Sequence, residues 1–97
     1  MSWDFDINED SFNYTYNVSS MFCSCYEDRG IRIIHGLTGE QTIPLLRVLR
    51  VYMEDHKAEL LELEPDNGWG DYDGALGLVN NLIKASIDNK TYKWDVS

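Results

Sequence analysis

The chain has 97 residues, of which 43% are hydrophobic and 26% are charged, a composition typical of one small folded domain. Its 17 acidic residues against 8 basic ones give a net charge of -9, which argues against non-specific binding to nucleic-acid phosphates as its default function. No segment approaches the roughly 18 apolar residues of a membrane helix, and the N-terminus lacks the basic and apolar regions of a signal peptide. We therefore expect a cytoplasmic protein that contacts no membrane.

The first eleven residues are acidic and polar, with Trp3, Phe5 and Ile7 at alternate positions. They fit an edge strand or an acidic arm whose apolar groups dock elsewhere, and we treat residues 1–11 as an arm outside a domain spanning residues 12–97. Residues 12–18 alternate aromatic or branched side chains with polar ones, which predicts a half-buried strand. A short helical turn is expected near residues 19–26, and the apolar run 31–34 is too brief to assign.

Two longer helices are predicted from their caps. Thr38 and Gln41 match the capping box and indicate a helix over about 40–54. Pro44 lacks the N–H that an interior helical position needs, so either the first turn is distorted or Thr42 is the cap. A short helix is expected over 56–63, and Asp71 is a suitable N-cap for a helix over about 72–87.

A closing strand is predicted over residues 91–96, where apolar and polar residues alternate again. Because predicted strands lie near both ends of the chain, we expect an α+β fold. A short antiparallel sheet would pair the N- and C-terminal strands and pack against two to three helices.

The segment before the last long helix reads Asn-Gly-Trp-Gly-Asp-Tyr-Asp-Gly. Its glycines permit a tight bend, its aromatic side chains can fill the gap between helices, and its first aspartate can cap. We interpret the motif as structural, through Asn67, Gly68, Trp69, Gly70, Asp71, Tyr72 and Gly74.

The negative charge is concentrated in two segments, because residues 1–28 carry a net charge of -6 and residues 54–73 carry -7. One interpretation is a solvated surface that keeps the protein soluble. The other is an electrostatic surface for a basic partner. For the second interpretation the candidate binding residues are Asp4, Asp6, Glu9, Asp10, Glu27, Asp28, Glu54, Asp55, Glu59, Glu62, Glu64 and Asp66.

The residues that could support catalysis or metal binding do not form a known motif. Cys23 and Cys25 are separated by one residue, a spacing at which a disulfide would be strained. His35 and His56 are unpaired and far apart in sequence, which does not fit a zinc site. We therefore expect two reduced thiols, no metal, no cofactor and no catalytic residues, so the chain is not predicted to be an enzyme.

Two segments together, Asn13-Tyr14-Thr15-x-Asn17-x-Ser19-x-Met21 and the Trp-containing motif at 67–74, resemble a family of small bacteriophage and mobile-element proteins. Leu37-Thr38-Gly39-Glu40 and Val96-Ser97 fit the same pattern, so the resemblance covers about residues 12–97. Members of the family are mostly of unknown function.

Small acidic proteins in that setting include anti-CRISPR proteins. By this analogy the resemblance implies an inhibitor in the host cytoplasm that mimics DNA. Its partner would be a host protein with a basic nucleic-acid-binding surface, such as a CRISPR effector subunit, and it would not bind nucleic acid itself. Two alternatives stay open: a phage protein-interaction or accessory module without mimicry, and a sequestering protein for a small signalling molecule.

Overall fold

Within residues 2–27, 29–65 and 70–97, which the computed structural model describes, the chain forms one three-stranded sheet and four α-helices around a shared core. The strands are β1 (Ser2–Ile7), β2 (Asp10–Thr15) and β3 (Asp95–Val96). The α-helices are α1 (Ser19–Cys23), α2 (Gly39–Asp55), α3 (Lys57–Leu61) and α4 (Tyr72–Asp88). Two 3₁₀ helices span Tyr16–Val18 and Gly30–Ile34.

The sheet is antiparallel in the order β2-β1-β3, so the first residues of the chain form its central strand. This differs from the expected arm or edge strand. Trp3, Phe5 and Ile7 are all buried on one side of β1, which gives these residues a place in the core. A two-residue turn joins β1 to β2, and Asn8 adopts the positive φ of 52° that such turns require.

The expected α+β fold, in which an antiparallel sheet joins the two ends of the chain, is confirmed. The strand that pairs with the C-terminal end is β1, however, and β2 pairs only with β1. The predicted strand over 12–18 ends at Thr15, whose hydroxyl caps the following 3₁₀ helix. The closing strand is limited to Asp95–Val96, because Lys93 instead forms an isolated bridge with Thr38.

The two long helices have nearly the predicted bounds, because their caps are local. Thr38 and Gln41 form both hydrogen bonds of the capping box, so Thr38 is the cap and Pro44 lies inside α2. Thr42 is buried and donates its hydroxyl hydrogen to the carbonyl oxygen of Thr38 at 2.7 Å. Asp71 caps α4 by accepting from the N–H of Gly74 at 2.6 Å.

The helices α2 and α4 pack against each other in antiparallel orientation. At one end Gly39 lies so close to the carbonyl oxygens of Ser86 and Asn89 that a Cβ would stand 2.5 Å from each. At the other end the Tyr72 hydroxyl donates to the carbonyl oxygen of Met53 at 2.7 Å. Among the described residues, no helix is both long and apolar enough to cross a membrane.

Trp94 joins the sheet end of the chain to this helix pair. Its side chain is buried, and its Nε1–H donates to the hydroxyl of Ser86 at 3.0 Å. Ser86 in turn donates to the carbonyl oxygen of Leu82 at 2.7 Å, so the buried polar atoms of this contact are paired.

Within the Trp-containing motif, the structure describes the contacts of Gly70, Tyr72 and Gly74. Gly70 has a φ of 92°, which favours glycine, and it lies against Thr15. Tyr72 is buried and Gly74 lies against the Tyr14 hydroxyl. Asn67, Gly68 and Trp69 lie outside the described residues.

Candidate functional site

Three carboxylates lie together on the solvent-exposed side of the sheet. Asp4 and Asp6 are the outward-facing residues of β1, about 6.8 Å apart along the strand. Asp95 on β3 is the direct cross-strand neighbour of Asp6, so both point to the same side. We call Asp4, Asp6 and Asp95 the acidic sheet face.

The strands that carry the acidic sheet face are packed against the core on their other side. The side chains that alternate with its carboxylates are Trp3, Phe5 and Val96, and all three are buried in the core. Asn13 also fixes one of the carboxylates, since its Nδ2 donates to Asp4 Oδ1 at 2.8 Å. The backbone positions of the three aspartates are therefore fixed before any partner arrives.

Within the described part of the chain, no Lys or Arg side chain forms a salt bridge with this face. His35 lies beside it, with its Nδ1 3.7 Å from Asp95 Oδ1, but this nitrogen accepts a hydrogen bond from the backbone N–H of Val96, and the Asp95 side chain remains 71% exposed. Like charges directly opposite each other on neighbouring strands destabilise a sheet. The pairing of Asp6 with Asp95 therefore has an electrostatic cost in the free protein.

A second acidic group surrounds the junction of α2, α3 and α4. We call it the helix-junction group, and it comprises the following residues from the second negative segment: Glu54, Asp55, Glu59, Glu62 and Glu64. Glu54, Asp55, Glu59 and Glu62 are exposed, and Glu54 lies 4.0 Å from Arg50 Nε in a surface ion pair. Glu64 accepts from the backbone N–H of Tyr72 at 2.9 Å and so supports the start of α4.

The position of two of these carboxylates opposes helix stability. Glu54 and Asp55 lie in the last turn of α2, where the helix dipole disfavours negative charge. As with the acidic sheet face, stability of the fold does not explain this placement.

The remaining candidates are dispersed. Glu9 is exposed in the turn between β1 and β2, and Glu27 is exposed beside Arg29. Asp10 accepts from Asn89 Nδ2 at 2.9 Å, so its carboxylate is engaged at the end of α4. Asp28 and Asp66 lie outside the described residues.

A contact between Tyr14 and Asp71 connects the sheet to the start of α4. The Tyr14 hydroxyl accepts from the backbone N–H of Asp71 at 3.3 Å, and the same hydroxyl lies 3.5 Å from the Asp71 carbonyl oxygen. The end of β2 is thereby held beside the N-terminus of α4. The acidic sheet face, on β1 and β3, and the helix-junction group nevertheless belong to different elements.

Asp95 is not among the acidic surface residues predicted from the sequence. Asp95 lies in a segment of positive net charge, and only the pairing of β3 with β1 places it beside Asp6. The alternation over residues 91–96 predicted which side it faces but not which strand it joins.

The cysteines and histidines lie apart from this face, except for His35. Cys23 and Cys25 are free thiols, and burial raises the pKa of Cys25. His56 stacks on Tyr52, with 4.1 Å between the ring centroids, and its Nδ1 lies 3.0 Å from the Tyr52 carbonyl oxygen. The described residues contain no group of three or more side chains suited to hold a metal ion.

Comparisons of the chain with protein-family models, curated proteins and solved structures found no match. The resemblance to small bacteriophage proteins therefore stays a prediction.

Proposed function

We propose that the protein is a phage-encoded inhibitor of a host defence complex of the CRISPR-Cas type. In this proposal it occupies a basic nucleic-acid-binding surface as a DNA mimic. The observation that carries the proposal is the acidic sheet face, in which Asp6 and Asp95 stand opposite each other and neither forms a salt bridge with a Lys or Arg side chain of the described residues.

The pairing of Asp6 with Asp95 has opposite effects on the free protein and on a complex with a basic partner. A like-charge cross-strand pair is unfavourable in the free protein, and it becomes favourable when Lys or Arg side chains of a partner lie over it. Stability of the isolated domain therefore gives no reason for the pair, whereas binding to a basic surface does.

Mimicry also requires fixed geometry. Lys and Arg groups that normally hold phosphates can be met by carboxylates that repeat along a rigid element. The two carboxylates of β1 repeat at the strand spacing, above a buried layer formed by Trp3 and Phe5. A net charge of -9 would further speed encounter with a positively charged partner.

The first test uses the protein as bait in a host lysate, followed by binding measurements with the purified partner. The test variant is Asp6→Asn/Asp95→Asn, and the control is Glu40→Gln/Asp88→Asn, which removes the same charge from two exposed positions elsewhere. We expect the test variant to bind at least about tenfold more weakly, a difference of about 1.4 kcal/mol, with a flatter salt dependence. Equal losses in both variants would show that only overall charge matters and would contradict a specific site.

A further inference from the structure

The second 3₁₀ helix, Gly30–Ile34, and its two cap residues carry three basic side chains. Its backbone bonds link residues three apart: the N–H of Arg32 donates to the Arg29 carbonyl at 3.1 Å, and that of His35 donates to the Arg32 carbonyl at 3.0 Å. Arg32 lies within the helix, Arg29 is its N-cap residue and His35 is its C-cap residue. Arg29, Arg32 and His35 all line the same concavity, and we call them the basic row.

The basic row lines a shallow concavity of about 360 Å³ together with Cys23. Ile31 and Ile34, which alternate with the row, are buried and attach the 3₁₀ helix to the core. Gly30 lies against the α1 side of the concavity, since a Cβ at this position would stand 3.1 Å from the Cys23 sulfur. The backbone that carries the row is therefore anchored on both sides.

His35 presents a donor. Its Nδ1 accepts a hydrogen bond from the backbone N–H of Val96 at 3.0 Å, so the neutral ring carries its hydrogen on Nε2. The Asp95 carboxylate lies near the same Nδ1, at 3.7 Å. The Nε2–H is therefore the hydrogen-bond donor that His35 contributes to the basic row.

The two arginines also retain donors. Neither Arg29 nor Arg32 forms an ion pair with a carboxylate of the described residues, in contrast to Arg50, which lies beside Glu54. Glu27 lines the neighbouring concavity together with Arg29, but it forms no salt bridge with that guanidinium. Guanidinium groups match phosphate oxygens with two parallel N–H donors each.

We propose that the basic row binds a phosphate-type oxyanion, with the two guanidinium groups as the main ligands and His35 Nε2–H as a third donor. The volume of the concavity is at the lower end of the range of small-molecule sites, which suits a diphosphate or the phosphate end of a nucleotide. This inference stands apart from the proposed inhibitor function, because it uses the positive groups of the chain and not the acidic sheet face.

The experiment is calorimetric titration of the whole protein with inorganic pyrophosphate and, separately, with ADP. The test variant is Arg29→Gln/Arg32→Gln, and the control is Arg47→Gln/Arg50→Gln, a pair at the same spacing on α2. We expect the test variant to lose at least about tenfold in affinity for the probe, and the control to stay within about twofold. Thermal melts followed by circular dichroism check that both variants fold.

Amide shifts measured by NMR locate the bound probe, and we expect the largest changes at residues 29–35 and at Val96. Equal affinity for both probes would identify the diphosphate as the ligand group, whereas tighter binding of ADP that is lost with the arginines would identify a nucleotide. The proposal is overturned if neither probe binds at about 1 mM, or if the control variant loses as much affinity as the test variant.

Discussion

Asp6 on β1 lies directly opposite Asp95 on β3, with both carboxylates on the exposed side of the sheet. The backbone around this pair is well held, since Asp4 and Ser97 exchange two hydrogen bonds of 2.9 and 3.0 Å next to it. Strand pairing thus fixes the two aspartates opposite each other, so their carboxylates repel each other in the unbound protein.

Relief of this repulsion should stabilise the fold. We expect Asp6→Asn to raise the free energy of unfolding by about 0.2–1 kcal/mol at low salt, with a smaller gain at high salt. Urea denaturation measures the difference. Asp4→Asn is the matched control on the same strand, and a destabilisation of Asp6→Asn would contradict the electrostatic account of the pair.

We predict that position 74 requires glycine, because neighbouring side chains leave no room for a Cβ, although the residue lies in the first turns of α4. Alanine usually stabilises a helix relative to glycine by about 0.8–1 kcal/mol. At Gly74 the added Cβ would overlap the Tyr14 hydroxyl and lie 2.8 Å from the Asp71 carboxylate, whereas at Gly77 it would meet nothing within 4 Å. We therefore expect Gly74→Ala to lower the melting temperature and Gly77→Ala to raise it. A gain in both would show that Tyr14 does not constrain this position.

The buried hydrogen bond between Tyr72 and Met53 should contribute more to stability than the exposed one made by Tyr14. Tyr72→Phe leaves a carbonyl oxygen without its 2.7 Å donor inside the core, which we expect to cost about 1–3 kcal/mol. Tyr14→Phe removes exposed contacts with Asp71 and should cost less. Denaturant midpoints of the two variants provide the comparison, and equal costs would contradict the difference in burial.

Tyr72 should also make stability dependent on alkaline pH. Burial raises the pKa of its phenol, and the nearby carboxylates of Glu54 and Asp73 raise it further. The folded state therefore keeps this proton after the unfolded chain has begun to lose it at about pH 10, so stability falls as pH rises above that value. We expect a smaller alkaline loss in Tyr72→Phe than in the wild type, and an unchanged loss would exclude Tyr72 as a cause.

The helices could be predicted from the sequence because their start signals are local. Thr38 and Asp71 cap their helices with groups three residues away, and α2 and α4 begin within one residue of the expected positions. The place of β1 depends instead on pairing with both neighbouring strands, of which β3 is about ninety residues distant. Local alternation does not specify such a partner.

The candidate surface was predicted only in part for the same reason. Asp4 and Asp6 belong to a visible acidic segment, whereas Asp95 joins them through tertiary pairing. The residues of the basic row are spaced three apart, a period that neither the helical nor the strand pattern detects. The apolar run that contains Ile31 and Ile34 was too short to predict the 3₁₀ helix.

The central claim is most directly tested by competition between this protein and DNA for the purified partner. A labelled duplex bound to the partner is titrated with the wild-type protein and with Asp6→Asn/Asp95→Asn, and DNA release is followed by fluorescence anisotropy. Mimicry predicts complete displacement of DNA by the wild type and at least about tenfold weaker competition by the variant. Simultaneous binding of DNA and protein, with unchanged affinities, would contradict mimicry and favour an interaction module that binds elsewhere on the partner.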